Sequence, residues 1–175
     1  MKIVKAGYIF QRFDQKPIKN GLMIIEDDKI KDILSCSKDV EKEYIEQKNV
    51  KILDFSKYFI LPGLINCHCH LSFPGDGTNA QDFIKKYDDN ILSIIASKNA
   101  KKALAAGVTT LRDLGSRNGT VFSVKRAIKN KLIVGPRIIL SRAPLTTTGG
   151  HMYYLNGEVD GVDEIRKKVR MLIKQ

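Results

Sequence analysis

The stretch "PGLINCHCHLSFPG", residues 62–75, sets two histidines and two cysteines alternately within four positions, and its reading decides the fold. An extended chain points successive side chains to opposite faces, so His68 and His70 share one side while Cys67 and Cys69 share the other. Four such groups cannot grip one ion from one strand. Pro62 and Gly63 break away from what precedes, and the polar, Gly-rich "LSFPGDGTN" follows. In parallel β/α architectures functional groups collect at the C-terminal ends of strands, which is where both histidines fall. Two imidazoles at i and i+2 on a rigid strand converge on a point above it, an arrangement that suits a divalent metal at about 2.0–2.1 Å. The two cysteines are then expected to face away and pack against helices as small apolar residues.

Outward from this strand the rhythm is strand, polar loop, helix, repeated three times. "LPGLINCHCH" is followed by a predicted helix around 89–106, "GVTTLRDLG" by one around 120–131, and "PRIILSRAPL" by one around 161–174. Strands alternating with helices at this spacing imply parallel strands joined by crossover helices. Gly107 and Gly135, each just before a strand, are expected to stop the preceding helices. Upstream, residues 1–59 read as short apolar runs cut by charged turns, with "EDDK" between "LMII" and "IKDI" as a hairpin tip, which predicts a small antiparallel β module. The expected division is therefore 1–59 and 60–175. Three β/α units leave a parallel sheet with two unpaired edges and half its apolar surface uncovered. The pattern also stops after a helix where a further strand is due, so the expectation is a portion of a larger barrel.

Composition bounds the function. The 175 residues are 43% hydrophobic and 28% charged, which is the profile of a soluble globular protein. The net charge of +11 resides largely in "SKNAKK", "VKRAIKNK" and "IRKKVRMLIK", each interleaved with apolar residues at helical spacing. In the last, Val162, Ile165, Val169 and Leu172 form one stripe and leave Arg166, Lys167, Arg170 and Lys174 towards water. No nucleic-acid motif or aromatic stacking pattern accompanies these cations, so a solvated helix face is expected and a nucleic-acid module ranks last. Three cysteines, Cys36 standing apart, build no disulfide framework and fit a reducing cytoplasm. The start lacks an apolar core of signal-peptide length, and no apolar run approaches the ~18 residues of a membrane span.

The stretches "NGLMIIEDDKIKDI", "ILPGLINCHCHL", "AAGVTTLRDLGS" and "GPRIILSRAPLTTTGGHMYY", in that order, resemble the metal-dependent amidohydrolases. "TTTGGH" places the likeness in the imidazolonepropionase-related branch that includes Xaa-Pro dipeptidases. The resemblance implies an α/β fold made of the first three β/α units of a (β/α)₈ TIM barrel, preceded by a small N-terminal β-sandwich module. It carries His68 and His70 over as ligands of one or two divalent ions, Zn²⁺ first, and puts His151 near the substrate, with fixation of the "TTTGG" turn as the other reading. The family's remaining ligands and its proton-handling aspartate come from later strands, beyond Gln175.

Arg112 and Asp113 lie near the same mouth and alternate in direction, so at most one points inward. Arg112 either holds a substrate carboxylate through its planar fork or pairs with a carboxylate to lock the barrel floor; Arg142 invites the same two readings. Tyr153 and Tyr154 either line a pocket or cover a core edge, and Asp76 is an unassigned carboxylate in the loop after His70. The function expected is hydrolysis of amide, cyclic amide or dipeptide carbon–nitrogen bonds, by a chain inactive alone. The competing reading is a truncated or split-gene segment acting as a non-catalytic association partner, paired with a second copy or with the missing half of a barrel.

Overall fold

The computed structural model describes residues 1–45 and 49–174. It divides into two compact units, Met1–Pro62 and Gly63–Gln175. In the first, β1 (Lys2–Ile9), β2 (Ile18–Glu26), β3 (Lys29–Ser35) and β4 (Lys51–Ile60) form a sheet of order β3-β2-β1-β4. The "EDDK" hairpin forms as expected: β2 ends at Glu26, β3 starts at Lys29, and Asp27 and Asp28 take φ of 49° and 61°. Positive φ at both central residues is the two-residue turn whose twist matches its strands, and Asp tolerates it. Ile3, Ala6, Ile9, Leu22 and Ile24 are buried.

Two features of this unit differ from the sequence reading. Among the described residues it is one four-stranded sheet and not a sandwich, and it is mixed, because β4 pairs parallel to β1. Apolar alternation is the same for either pairing direction; the direction follows from the connection, and the long segment between β3 and β4 permits a parallel return that a tight turn forbids. The division also falls after Pro62 and not after Phe59. β4 stays paired with β1 through Ile60, whose carbonyl accepts from Phe10 N at 2.9 Å.

The second unit holds β5 (Leu64–Cys69), β6 (Val108–Asp113) and β7 (Arg137–Leu140), all parallel in the order β5-β6-β7. Between and after them run the helices of residues Ala80–Lys86, Asp89–Ala105, Thr120–Lys129 and Val162–Lys174, here α1 to α4. The predicted helices match α2, α3 and α4, whereas the short α1 is additional. Asn79 caps α1 by accepting from Asp82 N at 3.1 Å, and Asp88 caps α2 by accepting from Asn90 N and Ile91 N at 2.9 Å, so two adjacent helices start on capping side chains. Gly107 (φ 88°) ends α2 as expected, with its N–H on Leu104 O at 3.0 Å. Gly135 does not end α3: that helix stops at Lys129, and Lys131 (φ 59°) takes the left-handed position.

Leu92, Ala96 and Ala100 recur every four residues along α2, and the last two join Leu71, Leu111, Val121, Val124 and Ile138 in the core between sheet and helices. Leu92 turns instead to a second cluster with Ile84 and Leu155, which Phe73, Met152 and Tyr154 cover. On α4 the basic residues face water as expected, but the stripe is also uncovered, since Val162, Ile165 and Val169 are exposed.

Arg117 ties this unit together. Its guanidinium donates to Asp89 Oδ1 at 2.7 Å and to the carbonyls of Ile84 and Tyr87 at 2.6 Å each, which joins the loop after β6 to the α1–α2 junction. Burial pushes the Asp89 carboxyl up, but hydrogen bonds from Asn118 and Arg117 and the Arg117 charge outweigh it and hold the group below its ordinary value. A depressed folded-state pKa gives stability that is present above the unfolded value of about 3.9 and is lost as pH falls through the folded value. Asp89→Asn is therefore expected to flatten the acid limb of the stability curve below about pH 4. Arg117→Lys, which cannot reproduce the three-way fork, is expected to cost about 1.5–3 kcal/mol in urea unfolding near neutral pH.

Candidate metal centre

His68 and His70 stand together at the C-terminal end of β5, with ring centroids 5.5 Å apart and planes at 71°. Locally the strand end is shaped by Asn66, whose Oδ1 accepts from His68 N at 3.0 Å. His68 is exposed and His70 half-buried. His70 Nδ1 lies 2.9 Å from the Gly115 carbonyl oxygen. A carbonyl only accepts, so the neutral ring carries its proton on Nδ1 and keeps a lone pair on Nε2. The same ring stacks on Phe73 at 4.7 Å and 18°.

The backbone around this ring is held from two sides. Asn99 of α2 donates to the carbonyls of Leu71 and Phe73 at 2.9 Å each, fixing the loop that follows β5. On the other side Asp113, fully buried at the end of β6, accepts from Leu71 N at 2.7 Å through Oδ2 and from Gly115 N at 3.1 Å through Oδ1. Burial pushes the Asp113 carboxyl above its ordinary value, against the opposing pull of these two donors and of His70. Gly115 has φ 146°, and a Cβ there would lie 2.6 Å from Pro144 Cδ, so both the backbone conformation and the close approach require glycine.

The alternation reading of "CHCH" holds for three of the four residues. Cys69 packs against the helix-side core, its Sγ 3.5 Å from the Arg112 carbonyl, and burial followed by the Asp113 charge pushes its thiol up to about 11. Cys67 departs from the expectation, because it is exposed: β5 is an edge strand, and among the described residues no helix covers that position.

Arg112 is exposed, whereas its neighbour Asp113 is the buried one of the pair. His151 is exposed in the loop after β7. The "TTTGG" turn there is fixed by carboxylates: Gly149 N donates to Glu158 Oε1 at 2.8 Å, and Thr148 donates to Asp160 through both its N–H, at 3.2 Å, and its hydroxyl. The Tyr153 hydroxyl accepts from Gln81 at 2.8 Å and from Lys85 at 3.1 Å, while Tyr154 leans on Phe73 with centroids 6.5 Å apart. Arg142 lies 5.8 Å over the Phe122 ring. Asp76 accepts from Thr78 N at 3.0 Å and is occupied within its own turn. No three of the His, Cys, Asp and Glu side chains among the described residues gather into a metal cage. His68 and His70 thus form a pair, and His151 does not join it. Sequence reasoning placed Asp113 near the same mouth but gave it no role, and missed Gly115 and Phe73 as neighbours of the pair. The available signal was "RDLGS" at the end of the adjacent strand, where alternation admits only one inward side chain.

The amidohydrolase family model aligns with residues 59–175, the stretch that carries the histidine pair. The chain belongs to the amidohydrolase family. Ochratoxinase of Aspergillus niger is 30% identical over 208 aligned positions, which cover 99% of this amidohydrolase chain and 40% of ochratoxinase. The crystal structure of that ochratoxinase superposes with a TM-score of 0.77 at 26% identity over 99% of this chain and 44% of its own. A Xaa-Pro dipeptidase with bound methionine in its active site superposes with a TM-score of 0.79 at 23% identity, over 99% of this chain and 44% of its own. The chain thus spans about two fifths of the length of the curated relative it matches. Its mixed α/β fold resembles the corresponding part of amidohydrolase barrel proteins.

Proposed function

We propose that this amidohydrolase chain contributes the first half of the metal site of a hydrolase acting on amide or dipeptide carbon–nitrogen bonds. The observation that carries the reading is the His70 ring, locked through Nδ1 so that Nε2 is free, with the His68 ring 5.5 Å away. Neutral imidazoles with one nitrogen held by a carbonyl are the usual form of a metal-ligating histidine, so the donor chemistry fits. A divalent cation, Zn²⁺ by its affinity for imidazole, supplies Lewis acidity towards a scissile carbonyl and lowers the pKa of water. Two ligands are half of a tetrahedral set, and the others, with the proton-transfer carboxylate, come from polypeptide outside the described residues. His151, Arg112 and Tyr153 are the residues of this chain that face a substrate: His151 to orient it, Arg112 to hold a carboxylate through its planar fork, Tyr153 to line the approach. The whole architecture is a (β/α)₈ barrel, in a reducing cytoplasm that keeps the three cysteines free. Among the described residues no helix is long and apolar enough to cross a membrane.

A second reading, an association partner without catalysis of its own, is favoured by the exposed apolar residues of the second unit: Leu64 and Ile65 on β5, Leu132, Val134, Ile139 and Ile173. Open sheet edges of this kind pair with another chain. One experiment separates the two. The chain is co-expressed with the part of the A. niger ochratoxinase it does not match, and the mixture is assayed on N-acyl amino acids and Xaa-Pro dipeptides. Turnover that requires added Zn²⁺ and is lost in His68→Ala supports the hydrolase. Association without turnover, or turnover that survives a chelator, contradicts it.

A further inference from the structure

We propose that Asp113 is a positioning residue that sets the tautomer and aim of the His70 ring without touching it; the functional meaning of this rests on the reading of His70 as a metal ligand. The carboxylate is fully buried, and its two oxygens have one backbone partner each. One partner, the N–H of Leu71, belongs to the residue directly after His70, and so fixes the main chain from which the ring departs. The other, the N–H of Gly115, belongs to the residue whose carbonyl accepts from Nδ1, and so fixes the acceptor towards which the ring points. A single buried group therefore holds both ends of the imidazole.

The geometry demands a carboxylate. Two converging N–H donors need two acceptor oxygens, and an asparagine offers one acceptor and one amide NH₂, which would set donor against donor. Register brings the parts together: Asp113 on β6 pairs with Cys69 on β5, one residue before His70, and Leu114 N donates to Cys69 O at 2.9 Å. In the usual second shell a carboxylate bonds the imidazole itself. Here it acts through the backbone, with its oxygens bonded to Leu71 N and Gly115 N.

The test uses the ¹⁵N-labelled, metal-free chain at a pH about 1.5 units above the ordinary imidazole pKa of ~6.5, where long-range proton–nitrogen correlations report each neutral tautomer. Wild type is expected to show His70 protonated on Nδ1. Asp113→Asn is expected to turn His70 into a tautomer mixture while leaving the His68 and His151 patterns unchanged, and to weaken binding of Zn²⁺ alone by about 10–100-fold. Leu111→Ala, a destabilising change on the same strand, is expected to leave the His70 tautomer intact in its folded molecules, which separates positioning from general loss of stability. His70 protonated on Nε2 in wild type overturns the proposal without any variant, and so does an unchanged His70 pattern in folded Asp113→Asn. If the tautomer behaves as expected but wild type binds no Zn²⁺, positioning stands and the ligand reading fails.

Discussion

Replacing His68 and His70 together by alanine is expected to abolish Zn²⁺ binding to the chain, with each single change weakening it by more than the ~10–100-fold that loss of an orienting neighbour costs. The expectation follows from the donor count. Among the described residues the two rings have no third metal-binding side chain beside them, so removing either leaves one imidazole and water. His151→Ala is expected to change nothing, because His151 lies outside the pair. Cys67→Ser is likewise expected to be neutral if the rings, and not the exposed thiol beside them, are the ligands. The fold should survive these changes. His68 is exposed, and loss of the His70 ring forfeits one hydrogen bond and one aromatic stack, each worth about 1 kcal/mol. Calorimetric titration with Zn²⁺ alone reads all five variants.

The second large effect is on stability. Leu111 sits on β6, the central strand, 1% exposed and packed in the cluster with Leu71, Ala96, Ala100, Val121, Val124 and Ile138. Leu111→Ala is expected to cost about 2–5 kcal/mol, from lost transfer energy and the cavity left behind. That is a large part of the ~5–15 kcal/mol by which domains are stable. Ile139, on the next strand, is 52% exposed, and Ile139→Ala is expected to stay within about 0.5 kcal/mol. Urea unfolding followed by the helical signal, which comes chiefly from α1–α4, should move its midpoint down by about 0.7 M or more, at an m of about 1–3 kcal/mol/M, for the first variant and hardly at all for the second. A concentration-dependent loss in Ile139→Ala would show that this face is buried against another chain, as the association reading requires.

Much of this was legible in the sequence. Alternation along "CHCH" separated the histidines from Cys69, and the strand–loop–helix rhythm located β5, β6, β7 and three of their helices, because apolar periodicity and Pro/Gly breaks are local properties of the chain. The elements that escaped depend on partners distant in sequence. α1 is too short for periodicity to be read and rests on its Asn79 cap and on Ile84 in the second core. The parallel pairing of β4 with β1, which makes a single mixed sheet where a sandwich was expected, is a matter of connection and not of alternation. Cys67 differs from Cys69 only because β5 is an edge. In the candidate site the histidine pair was visible as a motif, but Asp113 was seen only as half of "RD", since its two bonds reach residues 42 positions before and two after it.

The most direct measurement is X-ray absorption at the zinc edge on the chain loaded with less than one equivalent of Zn²⁺. The account predicts imidazole scattering from two rings at about 2.0–2.1 Å, completed by light oxygen or nitrogen atoms and lost in the His68→Ala/His70→Ala variant. A sulfur shell at about 2.3 Å, or a spectrum that the double variant leaves unchanged, would contradict it.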